Sequence, residues 1–511
     1  MYTFITSVLL LIIGYMIYGA MADKVFGSDT TRKTPCFTSQ DGVDYIPMPT
    51  WKVFLIQFLN IAGTGPIFGA IQGILFGPAA YIWITLGCIF GGAVHDFLSG
   101  MISIRKNGAS LPEIVGDELG STARIVIRIL ALVLMVLVGT VFVTTPAGLL
   151  ANMIGSNGAE SFNGILSDSM FWVVVIFLYY ILATLLPIDK LIGKIYPVFG
   201  VALLIMAVGI AYGIMANDGN MPEITEAFTN HHPTSSMPIF PGLCITIACG
   251  AVSGFHATQS PMMARCIKNE KYGRPIFYGS MITEGFVALI WAAAAVKFAD
   301  AFDVSQFGMS DSATPYEKLW AIMTNGGAAA PNPAVIVNKI CSTWLGTAGA
   351  ILAILGVVAA PITSGDTAFR SARLIAADFM HYKQNKIYKR FILSLPIFVI
   401  ASVLMFIDFT VLWRYFAWSN QTLSIFTLWA ITVWLFKHCK QYSDIKRWGY
   451  IMSLVPAVWM TLVCSTYILI APEGMQLPHP ISYGIGIAVT LLTFTVFTVW
   501  ASKENKKVKR Q

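Results

Sequence analysis

Apolar runs of about twenty residues, the length a bilayer core demands of a helix, recur along this chain with short polar segments between them. They fall near residues 2–21, 53–75, 79–104, 124–152, 169–187, 195–216, 239–259, 275–298, 345–365, 391–408, 411–436, 448–471 and 482–501, which predicts about 13 transmembrane helices. Two runs are interrupted. In the second, NIAGTGP at 60–66 sets Asn60, Gly63, Thr64, Gly65 and Pro66 into apolar sequence. In the seventh, ITIACGAVSGFHATQSPMMAR at 245–265 brings in Gly250, Ser253, Gly254, His256, Thr258, Gln259, Ser260 and Pro261. Proline removes a backbone donor and lipid tolerates no unpaired polar group, so a helix break is expected at each stretch. Broken backbone at membrane depth is admissible where its N–H and C=O groups are buried in protein or line a wet cavity. Gly65, Gly69, Gly73 and Gly77, spaced four apart, read as a helix-packing face. That reading does not account for Asn60, Thr64, Ser253, His256 and Gln259, which are expected to line a binding cavity.

Composition fits this pattern. Of 511 residues 56% are hydrophobic and 12% charged, and the mean hydropathy is +0.69. An all-α polytopic membrane protein is expected rather than a soluble domain. The eight cysteines form no C-x-x-C pair, so neither a disulfide framework nor a zinc knuckle is expected. The net charge of +7 belongs to topology: 29 of the 33 Lys and Arg residues follow odd-numbered spans, leaving Lys297, Lys318, Lys339 and Arg414 on the other side. The positive-inside rule puts the N-terminus outside and the C-terminus in the cytoplasm. Nucleic acid is not implied as a partner; the lipid bilayer is. Ala20-Met21-Ala22 resembles a signal cleavage site, but residues 1–7 carry no Lys or Arg, so 1–21 reads as a retained span.

With this topology the two breaks lie five spans apart in oppositely directed helices. That is the plan of a LeuT-like (APC-type) inverted repeat of five helices, with discontinuous second and seventh spans and substrate held between the breaks. The chain then divides into an extra N-terminal helix (1–21), a first repeat (53–216) and a second, inverted repeat (239–436) carrying an outer loop at 299–344. Two additional helices and a basic cytoplasmic tail (448–511) complete it. The outer loop, with a short amphipathic stretch at Tyr316–Met323, reads equally as a cap over the site or as a connector.

Ionisable groups inside spans are costly, and each is a functional candidate. His95 and Asp96 are adjacent in the third span and are expected to point to different faces, not to pair. Asp96 has Arg105 or Lys106 as an expected partner. His256, inside the second break, is the candidate for a proton-responsive or substrate-contacting group. Glu284 is a lone carboxylate near the middle of the eighth span and a candidate proton carrier. The ninth span is expected to end in PITSGDTAFRSAR, where Thr363 and Ser364, with backbone carbonyls near Ala62 and Gly63, offer a sodium site. Asp366 would equally suit a proton, and hydroxyls bonding back to their own helix are the bland alternative. Trp418, Ser419, Asn420 and Gln421 interrupt the eleventh span and read as local packing, with a gate or wall of the site as the alternative.

The runs NIAGTGPIFGAIQGILFGPAAYIWITLGCIFGGAVHDFLSG (60–100), CGAVSGFHATQSPMMARC (249–266) and PITSGDTAFRSAR (361–373), with FAWSNQT (416–422), resemble those of the carbon starvation protein A (CstA) family. The resemblance implies an inner-membrane secondary transporter that imports nutrients, peptides or pyruvate, under carbon starvation. No cofactor is implied; the coupling ion is a proton or sodium. Half-helix N-termini at the breaks suit a carboxylate, the group both substrates share. Asn60, Gly63, Thr64, Gly65, Gly250, Ser253, Gly254, His256 and Gln259 are the expected substrate contacts. Coupling falls to His256, Glu284, Asp96 and Asp366 for protons, or to Thr363 and Ser364 for sodium. A membrane-embedded nutrient sensor or an intramembrane enzyme is the alternative, but H-E-x-x-H and G-x-S-x-G are absent, and a sensor would be expected to carry a sizeable soluble output domain, which is not seen in this sequence.

Overall fold

The computed structural model describes every residue except 43, 156–162, 186–187, 234–237, 311, 328–330, 383, 385, 408, 440–445 and 509–511. Lys383, Lys440, Lys509 and Arg510, counted above for topology, therefore fall outside the described residues. Among those described, all regular structure is helical. Eight helices are long and apolar enough to cross a membrane, nine if one bent pair counts as a single span.

Short single turns aside, the helices are α1 (Tyr2–Phe26), α2 (Thr50–Ile61), α3 (Gly65–Gly73), α4 (Ala79–Arg105), α5 (Leu111–Leu119), α6 (Ser121–Gly155), α7 (Ser169–Leu185) and α8 (Ile188–Ala216). They continue as α9 (Ile239–Thr246), α10 (Gly254–Ala264), α11 (Gly279–Ala301), α12 (Pro315–Thr324), α13 (Pro333–Ala353), α14 (Ala359–Met380), α15 (Ile387–Leu404), α16 (Phe409–His438), α17 (Ile451–Ile470) and α18 (His479–Val508).

The second span breaks where expected: α2 ends at Ile61, Pro66 sits in the first turn of α3, and the two halves are bent by 45°. The seventh span breaks earlier than its proline suggests. The helix stops at Thr246 and resumes at Gly254, so Gly250, at φ +90°, carries the turn, while Pro261 lies inside α10 near its end. The ninth span does not end at residue 365. The apolar run is preceded by α13 from Pro333, kinked at Gly346, and followed by α14, which continues to Met380. A π-helical stretch, Ile354–Val358, leads directly into α14, and Pro361, which lacks an N–H, follows it. Part of the outer segment 299–344 is thus helix, α12 and the start of α13. Trp418–Gln421 do not interrupt the eleventh span either, since α16 runs through them.

The packing has a recurring relation. The broken α2/α3 lies against α8, α10, α11 and α14. The broken α9/α10 lies against α16, α2, α3, α4 and, more lightly, α6. The most extensive helix pair is α6 on α14. Outside the bundle, Glu223 accepts hydrogen bonds from the Tyr2 and Thr3 amides at 2.9 and 2.8 Å, from the Thr3 hydroxyl and from the terminal ammonium. Partial burial pushes its carboxyl up, but these donors outweigh burial and hold the pKa down at about 2. A depressed carboxylate stabilises the fold fully above its unfolded value and loses that contribution as pH falls toward the folded one. Hydrogen exchange at Tyr2 and Thr3, corrected for intrinsic rates, should therefore accelerate as pH drops from about 5 toward about 2; an unchanged corrected rate would refute the capping role.

Candidate functional site

The two breaks touch. A Cβ added at Gly65 would lie 2.5 Å from Cys249 Cβ and Sγ, and one at Gly69 2.9 Å from the Thr246 carbonyl. Gly73 meets the Ile247 side chain in the same way. Of the glycine face expected from the four-residue spacing, Gly65, Gly69 and Gly73 pack on the second break itself, whereas Gly77, at φ +91°, faces His231 and Thr229 instead. Gly250 in turn faces Ala288 and Pro66. Asn60, Thr64, Ser253, His256 and Gln259 are all completely buried. Asn60 and Thr64, together with Gln57 one turn earlier, have no hydrogen-bond partner in the protein for any side-chain oxygen or amide nitrogen. Gln57 was not singled out in the sequence; its amide lies in an otherwise apolar turn, and that was the available signal.

Around His256 the charged groups form one chain. Asp96 Oδ2 stands 2.9 Å from His256 Nδ1, and Asp96 Oδ1 stands 2.8 Å from His95 Nδ1. The expectation that His95 and Asp96 do not pair is therefore wrong, as is the pairing of Asp96 with Arg105 or Lys106. Adjacent side chains leave a helix on different faces, yet the Asp96 carboxylate, held by His256 of α10 through one oxygen, meets the His95 ring with the other. His256 Nε2 lies 3.5 Å from Glu284 Oε2. All four groups are completely buried.

The sodium candidates meet in part. Ser364 Oγ donates to the Leu59 carbonyl at 3.0 Å and to Ala360 O at 3.1 Å, and a Cβ at Gly63 would lie 3.2 Å from it. Thr363 Oγ1 bonds back to Ala360 O at 2.7 Å. Asp366 lies one turn further on, its Oδ2 accepting the Tyr196 hydroxyl at 2.6 Å and its Oδ1 without a hydrogen-bond partner. Gln259 is set apart from the breaks: its Nε2 meets Thr258 Oγ1 at 2.9 Å and Ser371 Oγ at 3.5 Å.

Asn420, read from the sequence as local packing, makes a specific contact with the second break. Its Oδ1 accepts from the Phe255 backbone N–H at 2.7 Å and from Ser253 Oγ at 3.1 Å. It thereby caps the N-terminus of α10 from another helix. The second half-helix N-terminus is thus partly satisfied by protein. Phe142 was also missed: its ring covers Gly63 and makes edge contacts with Phe255 at 6.4 Å and Phe416 at 6.2 Å. Aromatic residues are too common in these spans for sequence to mark it. A cavity of about 420 Å³, almost wholly apolar, lies behind the second break against Trp83, Phe240, Val252 and Trp459, and includes none of the expected site residues.

A model of the family described as carbon starvation protein CstA matches residues 1–163 and 149–467. An uncharacterized membrane protein of Haemophilus influenzae is 45% identical over 58% of this chain and 90% of its own length. The peptide transporter CstA of Campylobacter jejuni is 27% identical over 96% of this chain and 83% of its own length. The pyruvate/proton symporter BtsT of Escherichia coli is 30% identical over 57% of this chain and 48% of its own length. Among solved structures, a manganese transporter of Eremococcus coleocola, in complex with an aromatic bis-isothiourea substituted compound, aligns with 92% of this chain and 99% of that one. Its TM-score is 0.52 at 11% identity, a likeness of fold alone. With long motifs and a family model that together span most of its length, this chain belongs to the carbon starvation protein CstA family.

Proposed function

We propose that this chain is a secondary active transporter that imports small carboxylate-bearing nutrients, peptides or pyruvate, across the cytoplasmic membrane under carbon starvation. The observation that carries the reading is the contact between two broken helices, with the amides of Gln57 and Asn60 and the Thr64 hydroxyl buried at the first of them without protein partners. Such groups are costly unless a polar ligand satisfies them. Gly63–Gly65 and Gly250–Gly254 hold the substrate carboxylate, under a roof of Phe142, Phe255 and Phe416. The names of two relatives, a peptide transporter and a pyruvate/proton symporter, support the substrate class.

The packing supports a LeuT-like inverted repeat. If α2/α3 corresponds to α9/α10, α4 to α11, α6 to α14 and α8 to α16, then α2/α3 against α11 and α8 repeats as α10 against α4 and α16. The self-paired α6 and α14 pack on each other, as this correspondence requires. In this scheme α1 precedes the repeats, α17 and α18 follow them, the N-terminus is outside and the C-terminus cytoplasmic. Alternating access is one bundle rocking on the other around the touching breaks.

We assign coupling to a proton on Asp366. This carboxyl is held by Tyr196 and lies two residues after Ser364, which grips the end of α2 at the first break. Its neighbours on the same helix are Arg370 and Arg373. The test is uptake of labelled pyruvate and of labelled small peptides into liposomes holding the purified protein, with proton and sodium gradients imposed separately. Accumulation of one class under a proton gradient, with label recovered unchanged, is expected. Asp366→Asn should abolish gradient-driven accumulation and leave counterflow exchange within about threefold, since exchange needs no net proton movement. No uptake under either gradient would overturn transport; sodium-driven uptake would overturn the assignment of Asp366.

A further inference from the structure

The chain of ionisable groups at the second break ends on atoms that face one another without a hydrogen bond between them. His256 directs Nδ1 to Asp96 at 2.9 Å. With the Nδ1 proton given to a carboxylate, Nε2 presents a lone pair, and it points toward Glu284 Oε2, 3.5 Å away. His256 Nε2 and both Glu284 oxygens have no hydrogen-bond partner, and both side chains are fully buried. Cys249 Sγ joins them: the ligand atoms of Cys249, His256 and Glu284 all lie within 4.8 Å of one another. Acceptors that converge at a buried point are satisfied by a cation. We propose that Cys249, His256 and Glu284 bind a single divalent transition-metal ion of the zinc class.

The donor set selects the ion. A thiolate, an imidazole nitrogen and a carboxylate suit zinc or cobalt(II), whereas magnesium and calcium take oxygen ligands and would not use the sulfur. Bonds of about 2.0–2.3 Å set tetrahedral ligands about 3.3–3.8 Å apart, so small side-chain rotations close the shell. The surroundings are those of a metal site. Asp96 fixes the His256 ring from behind and is itself held by His95 at 2.8 Å, and Asn420 Nδ2 stands 3.7 Å from Cys249 Sγ. Carboxylate–histidine–metal relays of this form orient the ligand and its tautomer. Three protein ligands leave one position open. The ion ties the break segment, α10 and α11 together, and through Cys249 it fixes the contact with Gly65. This proposal concerns binding and does not depend on what the protein transports.

The experiment uses full-length protein in detergent, stripped with a chelator and titrated with cobalt(II). One equivalent should bind, with visible bands of tetrahedral cobalt and a sulfur-to-cobalt charge-transfer band; zinc should displace it and magnesium should not. Cys249→Ser should lose the charge-transfer band. Asp96→Asn should keep the band and weaken binding about 10- to 100-fold. No charge-transfer band at one equivalent of cobalt, or the same band in Cys249→Ser, overturns the proposal. Should that variant fail to fold, X-ray absorption of the zinc-loaded wild type decides: one sulfur at about 2.3 Å with nitrogen and oxygen at about 2.0–2.2 Å supports the site, and a shell without sulfur overturns it.

Discussion

Gly254→Ala is expected to cut the initial rate of uptake by about a hundredfold while the protein still inserts and purifies. Helix propensity alone predicts the opposite, since alanine in a helix is worth about 1 kcal/mol more than glycine. The contacts decide against propensity. A Cβ at Gly254 meets the Asn420 carbonyl oxygen, the Ser424 amide nitrogen at 2.5 Å and Leu423 Cβ at 2.6 Å. Two of these are backbone atoms of α16, which no rotamer change can move. α10 must back away from α16 by on the order of 1 Å, taking Phe255 and His256 with it, and a misplacement of that size costs a preorganised site about a hundredfold. Rates at matched reconstitution levels check this. Wild-type uptake in Gly254→Ala would mean that the spacing of α10 and α16 does not matter to transport.

The second large effect is expected at Asn420. Replacing it with leucine keeps the volume and removes the acceptor that serves Phe255 N–H and Ser253 Oγ. Leaving each buried donor unpaired costs about 1–3 kcal/mol, so the variant should lose about 2–6 kcal/mol of stability. Asn420→Asp retains the acceptor and should recover most of the loss, which separates capping from mere space-filling. Thermal unfolding of the three proteins in detergent, with uptake alongside, is the measurement. Equal losses for leucine and aspartate would rule out the cap.

The breaks were legible because glycine, proline and polar side chains inside an apolar run have few other physical meanings. About 13 spans were expected; among the described residues eight to nine helices are long and apolar enough to cross a membrane, because several apolar runs are broken into shorter helices. What could not be read was partnership across distance. Asn420 lies 165 positions from the amide that it caps. Nothing local distinguishes it from a packing residue. His95 and Asp96 were separated by a rule about helix faces that ignores the pull of a third group, His256, on another helix. The continuation of α14 past residue 365 was hidden for a different reason: Thr363, Ser364 and Thr367 look like the end of a span, but each bonds to a helix carbonyl, and the helix absorbs them. The glycine spacing, read as a packing face, did mark a surface, and its partner is the other break.

That surface has a mechanical consequence. Along Gly65, Gly69 and Gly73 the first broken helix presents bare backbone to residues 246–249 of the second, and Cys249, the Thr246 carbonyl and the Ile247 side chain each sit within 2.9 Å of where a Cβ would lie. The seam is a keyway cut to one width: a larger residue at any of the three positions wedges the two broken helices apart, so their spacing is set by the absence of side chains.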